Sequence, residues 1–130
     1  MARQREEKTI YEELGGEPVV AATVEIFYRN VLADQRIAHF FTDVDMQKQV
    51  LKQKSFLTMI FGGPNRYTGR DIRHAHSRLL GVGLNDHHVD ALLEDLGLAL
   101  NELSIRKSLA ARILAKANSF RDEVLSRDEP

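Results

Sequence analysis

The chain has no cysteine and no tryptophan, and only three prolines among its 130 residues. Without a thiol there can be no disulfide, no cysteine-ligated zinc or iron–sulfur centre and no thiol catalysis. The formal net charge is −1, from 18 basic and 19 acidic side chains that are interspersed. Such a surface offers no electrostatic footprint for nucleic acid or an anionic membrane, and neither is expected as a partner. No apolar run approaches the roughly 20 residues of a membrane span. The opening Met-Ala-Arg-Gln-Arg-Glu-Glu-Lys lacks the apolar stretch of a secretory signal. The expectation is a soluble, cytoplasmic monomer. It has one domain over residues 9–126, between loose tails at 1–8 and 127–130. That length can bury a sizeable core without staples.

Sustained β-type alternation is also missing, and the pattern present is helical. Thr9–Leu14 reads as a short apolar-bearing turn that Gly15-Gly16 stops. Glu17–Leu32 follows, with Val20, Val24, Phe27, Tyr28 and Val31 at helical spacing and Pro18 suited to a first turn. Ile37, Phe40 and Phe41 make a short aromatic segment. Asp43 or Asp45 caps a helix running to Phe61, where Gly62-Gly63-Pro64 ends it. A polar loop over Asn65–Arg70 leads to a short helix over Asp71–Leu80. Asp86 is expected to cap a helix from His87 to about Leu103, and Ser104 or Ser108 to start a last helix reaching about Leu125. The expected class is all-α.

The stretch Gln49–His76 carries the candidate chemistry. Gln49, Lys52, Gln53 and Phe56 fall at i, i+3, i+4 and i+7 and share one helix face. A polar stripe is ordinarily solvated. The large aromatic on this one argues that it faces something internal, where buried amides and amines need partners. Five histidines are present. His74 and His76 are two apart, so a helix points them in different directions. No His-Glu-x-x-His pattern occurs, and a tetrahedral zinc site is poorly supported. A single histidine after a glycine-rich loop can instead be the one protein ligand of a haem iron. Tyr28 is either a core tyrosine with its hydroxyl near the surface or a buried hydroxyl aimed at a ligand. Gly62-Gly63 and Gly69 do not form a phosphate loop, because no strand precedes them and no Gly-Lys-Ser/Thr follows.

Taken together and in order, several blocks resemble a truncated haemoglobin of group I, from about Ile10 to Leu125. They are Tyr11-Glu12-Glu13-Leu14-Gly15-Gly16, Phe27-Tyr28, Phe40-Phe41, Val44-Asp45-Met46, Gln53-Lys54-Ser55-Phe56-Leu57, Phe61-Gly62-Gly63-Pro64, Tyr67-Thr68-Gly69-Arg70-Asp71 and Ala75-His76. The resemblance implies a truncated globin, a two-over-two helical sandwich around haem b. His76 matches the proximal iron ligand. Phe41 and Phe56 match haem-packing aromatics. Tyr67 and Lys48 fall near the haem edge and a propionate, and Ile72, Leu79 and Leu96 form apolar walls. Tyr28, Gln49 and Gln53 match the distal donors, which would hydrogen-bond a diatomic ligand that takes up negative charge; in a low-dielectric pocket such bonds are strong. Lys52 occupies the position from which some members close a side chain onto the iron. It is either a second metal ligand or a chain reaching a propionate or solvent. The family's late histidine, which in some members bonds covalently to haem, is replaced by Asn118-Ser119-Phe120, so non-covalent haem is expected. Val89 stands where a phenylalanine often follows the residue matched by His88.

The function this implies is binding of O₂, NO or CO at a single iron, with NO dioxygenation as the chemistry. The chain has no dinucleotide fingerprint, so an external reductase is expected as a partner. A pocket closed by Lys52 would point instead to electron transfer or redox sensing. A haem-free phosphotransfer module using an exposed histidine is the remaining alternative.

Overall fold

Thr9 starts the fold. Its hydroxyl accepts from the Glu12 N–H at 3.1 Å, and the Glu12 carboxylate accepts from the Thr9 N–H at 3.0 Å. This reciprocal cap sets α1, Ile10–Leu14. Gly15, at φ +108°, closes it in the left-handed conformation that side chains resist. The structure, a computed structural model, describes residues 8–65 and 83–125.

α2, Glu17–Leu32, buries Val20, Thr23, Val24, Phe27, Tyr28 and Val31, one continuous stripe at three- and four-residue steps. A 3₁₀ turn over Ala38–Phe41 then tucks Phe40 and Phe41 into the core. The Asp45 carboxylate accepts from the N–H groups of Gln47 and Lys48 and starts α3, Met46–Phe61. Of the two expected caps, Asp45 is the one used. Gly62 ends α3 at φ +85°. Gly63 is required by contact: a Cβ there would lie 2.6 Å from the Tyr11 ring, so α1 lies directly against the end of α3.

Two expectations for the second half are corrected. Asn85, not Asp86, caps α4, which spans Asp86–Glu102. The Asn85 side chain accepts from the His87 N–H at 2.9 Å, and His88 Nδ1 accepts from the Asn85 N–H at 3.1 Å. That second bond needs a neutral imidazole, and burial, together with His39 and His87 nearby, lowers the His88 pKa below its usual value. The last helix is also two helices rather than one. α5, Lys107–Asn118, begins after Arg106 without a side-chain cap, so neither Ser104 nor Ser108 serves, and α6 is Arg121–Val124. The break follows from local bonds. The Ser119 hydroxyl donates back to the Lys116 carbonyl. Arg121 turns toward Asp86, Asp90 and Asn118.

α2 lies between α3 and α4, α4 packs on α5, and α3 reaches α5. No strand occurs among the described residues, as the all-α expectation requires. No described helix is long and apolar enough to cross a membrane.

Candidate functional site

The inner stripes of α2, α3 and α4 do not close completely on one another. They leave a cleft between them, in the kind of place where helical proteins hold small molecules and cofactors. One side consists of Phe27 and Tyr28 from α2, Phe41 from the 3₁₀ turn, and Gln49, Gln53 and Phe56 from α3. The other is made of Val89, Leu92, Leu93 and Leu96 from α4, with Ala117 from α5 and Val124 from α6. Apart from the Tyr28 hydroxyl, the only polar side chains on the walls among the described residues are Gln49 and Gln53.

Tyr28 is 5 % exposed, and the Gln49 Nε2 donates to its hydroxyl at 3.1 Å. Its ring is fixed by edge contacts with Phe27 and Phe41, at centroid distances of 5.0 and 5.8 Å. The phenol is thus held by packing and its oxygen by an amide. A hydroxyl that already accepts a hydrogen bond is a better donor in turn. Gln53 lies one turn along α3 from Gln49, on the same wall. The i, i+4 spacing that places both amides on the cleft also buries Phe56, whose ring meets Phe120 edge-on at 6.0 Å. That contact joins the α3 wall to the α5–α6 junction.

The stripe seen in the sequence is therefore divided. Gln49, Gln53 and Phe56 turn inward, whereas Lys52 and Lys48 are exposed and neither lines the cleft. Lys52 sits at the edge of the stripe, where a long side chain can reach water. Phe41 and Leu96 join the same cleft as Tyr28, Gln49 and Gln53. His76, Tyr67, Ile72 and Leu79 lie outside the described residues, as do His74 and the expected helix Asp71–Leu80. Among the described residues no three His, Asp or Glu side chains are grouped to hold a metal. Phe27, Leu92, Leu93, Ala117 and Val124 were not singled out as site residues. The 89, 92, 93, 96 spacing marks the inner face of α4, but nothing in the sequence says that this face meets a cleft rather than another helix.

The chain matches the family model of bacterial-like globins over residues 9–126. It is 48 % identical over 112 residues to the group 1 truncated haemoglobin of Synechocystis sp., covering 85 % of this chain and 90 % of that one. Among solved structures, the 2/2 haemoglobin of Synechococcus sp., in a cyanomet state with covalently attached haem, superposes with a TM-score of 0.86 at 42 % identity, over 92 % of this chain and 100 % of that one. The truncated haemoglobin of Tetrahymena pyriformis, in its Fe(III) form, gives a TM-score of 0.81 at 41 % identity, over 91 % and 98 %. The helical sandwich and the coverage agree with the resemblance drawn from the sequence blocks, and the chain belongs to the bacterial-like globin family as a group 1 truncated haemoglobin.

Proposed function

We propose that the chain binds haem b non-covalently in this cleft, takes O₂, NO or CO at the single iron, and carries out NO dioxygenation with a separate reductase. Haem binding and a diatomic ligand follow from the family. The residues present suit such a group. A flat, mostly apolar macrocycle needs aromatic and aliphatic walls, which Phe41, Phe56, Leu96 and Val89 provide. No histidine follows His88 in the chain, so the last helices hold no imidazole to form a covalent link. His76 is the proposed proximal ligand, with Ile72 and Leu79 as walls on its side and Tyr67 and Lys48 at the edge.

The observation that carries the reading is the Gln49–Tyr28 hydrogen bond on the wall of a mostly apolar cleft. When bound, haem supplies the electron that accompanies combination of NO with O₂ to nitrate, and an outside donor returns that electron. The protein's own residues set the conditions. Tyr28, with Gln49 and Gln53, presents donors to a ligand that gains negative charge, each worth about 1 kcal/mol. Phe27, Phe41 and Phe56 keep water away, which strengthens those bonds. Lys52 is the proposed sixth ligand of a closed form. To serve, it must leave water and lose its proton.

Absorption spectra of the purified chain titrated with haem test the first part. A Soret band that saturates at one equivalent and shifts with CO is expected, and its absence would overturn the proposal. Mixing the reduced, O₂-equilibrated protein with NO tests the second. One nitrate per haem is expected; NO left unconsumed, or nitrite as the product, argues for binding without dioxygenation.

A further inference from the structure

Asp95 is the least expected side chain in the core. It lies on α4 beside the cleft-lining Leu96, is 4 % exposed, and its Oδ2 has no hydrogen-bond donor among the described residues. Its carboxyl meets that of Asp34, in the turn between α2 and the 3₁₀ helix. A buried and a partly buried carboxylate facing each other repel, whereas one proton placed between them turns the clash into a strong, charge-assisted hydrogen bond.

The surroundings decide which oxygen carries the proton. Arg36 donates to both oxygens of Asp34, at 2.9 and 2.8 Å, and the Arg36 backbone N–H adds a third bond at 3.0 Å. Those donors hold Asp34 ionised, with its pKa well below the usual carboxylate range. Asp95 has no such support. Desolvation, followed by Asp34, raises its pKa to about 7. The other charges facing Asp95 are Arg36, which favours its ionised form, and Glu94, which opposes it. Glu94 itself pairs with Arg36 at 3.1 Å. From α2 comes Asn30, whose amide donates to the Asp95 backbone carbonyl at 3.2 Å and so leaves the carboxyl alone. A metal ion is a poor occupant, because the arginine already covers Asp34.

We infer that Asp34 and Asp95 share a single proton that clamps the end of α2 to α4 behind the cleft, and that losing this proton loosens the wall between Tyr28 and Leu96. The site makes the fold a proton-responsive one, whatever ligand the cleft holds. The direction follows from linkage. In the unfolded chain Asp95 ionises near 3.9. Between there and about 7 the folded chain holds one proton more than the unfolded chain. The folding constant therefore falls about tenfold per pH unit across that window and levels off above it. The Asp34–Arg36 contribution has the opposite sign. It is present above the ordinary aspartate value and lost as pH falls below it.

Carboxyl-carbon NMR on the full-length chain from pH 4 to 9 tests this directly. Asp95 and Asp34 are expected to respond together in one step near neutrality. Titration of Asp95 in the ordinary carboxylate range would overturn the inference. Urea unfolding at the same pH values supplies the second readout, with Asp95→Asn keeping a donor toward Asp34 but no titratable proton. The tenfold-per-unit loss between pH 4 and 7 should appear in the parent and vanish in this variant. Parallel profiles would count against the shared proton. If Asp95→Asn does not fold, the NMR step in the unsubstituted chain decides alone.

Discussion

The two walls of the cleft are built from different residues for different work. The α2–α3 wall combines aromatic rings with three polar groups, and its polar pair, Tyr28 and Gln49, is bonded at 3.1 Å. Among the described residues, the α4–α6 wall turns only valine, leucine and alanine toward the cleft. A buried polar group costs free energy unless it is partnered, so donors are worth keeping only where a ligand becomes polar. Under the proposed function, the α2–α3 wall is the one that would meet the small ligand, and the α4–α6 wall would cover an apolar surface. Phe56, touching Phe120, ties the two together.

Replacing that tie should do the most damage. Phe56→Ala is expected to lower stability by about 3–5 kcal/mol, as buried aromatic truncations do, measured by urea unfolding; a loss below about 1 kcal/mol would mean the walls stand independently. Leu96→Ala, on the apolar wall, should cost about 2–5 kcal/mol by the same measurement while leaving the O₂ release rate of the haem-loaded protein nearly unchanged. Tyr28→Phe reverses that pattern. It keeps the ring and its packing, so stability changes by about 1 kcal/mol, but O₂ release should speed up by roughly tenfold, the equivalent of about 1.4 kcal/mol. If Leu96→Ala and Tyr28→Phe gave the same ratio of stability loss to release rate, the division of labour between the walls would be wrong. The smallest effect belongs to Asp45→Ala. Removing the cap of α3 should cost about 1 kcal/mol and leave ligand release unaltered, since Gln49 sits a full turn further on.

Local signals located most of the elements. α2 was legible to the residue, because proline at its start and an apolar stripe at helical spacing agree. α3 was equally so, between an aspartate and a double glycine. The misread starts and stops share one cause. Asn85 and Asp86 are both competent caps, and which one is used depends on His88 reaching back to Asn85 and on Arg121 claiming Asp86. The break at Ser119-Phe120 depends on the same arginine, whose two aspartate partners lie 35 and 31 positions away in sequence. The inward turn of Gln49 and Gln53 was legible because helical spacing puts them on one face with Phe56. Lys52 was not, since a residue at the edge of a stripe can turn either way and only its neighbours choose.

By itself, the sequence determined the helical class, the bounds of α2 and the end of α3, and the family. Those rest on periodicity, on capping residues and on the order of short blocks, all local or additive properties of the chain. The tertiary structure decided what required distant residues to meet. It bonded Gln49 to Tyr28 across 21 positions and left Lys52 in water. It also brought Asp95 against Asp34, a contact that no local pattern announces, because the energy of a buried carboxyl depends on which charges the fold places around it.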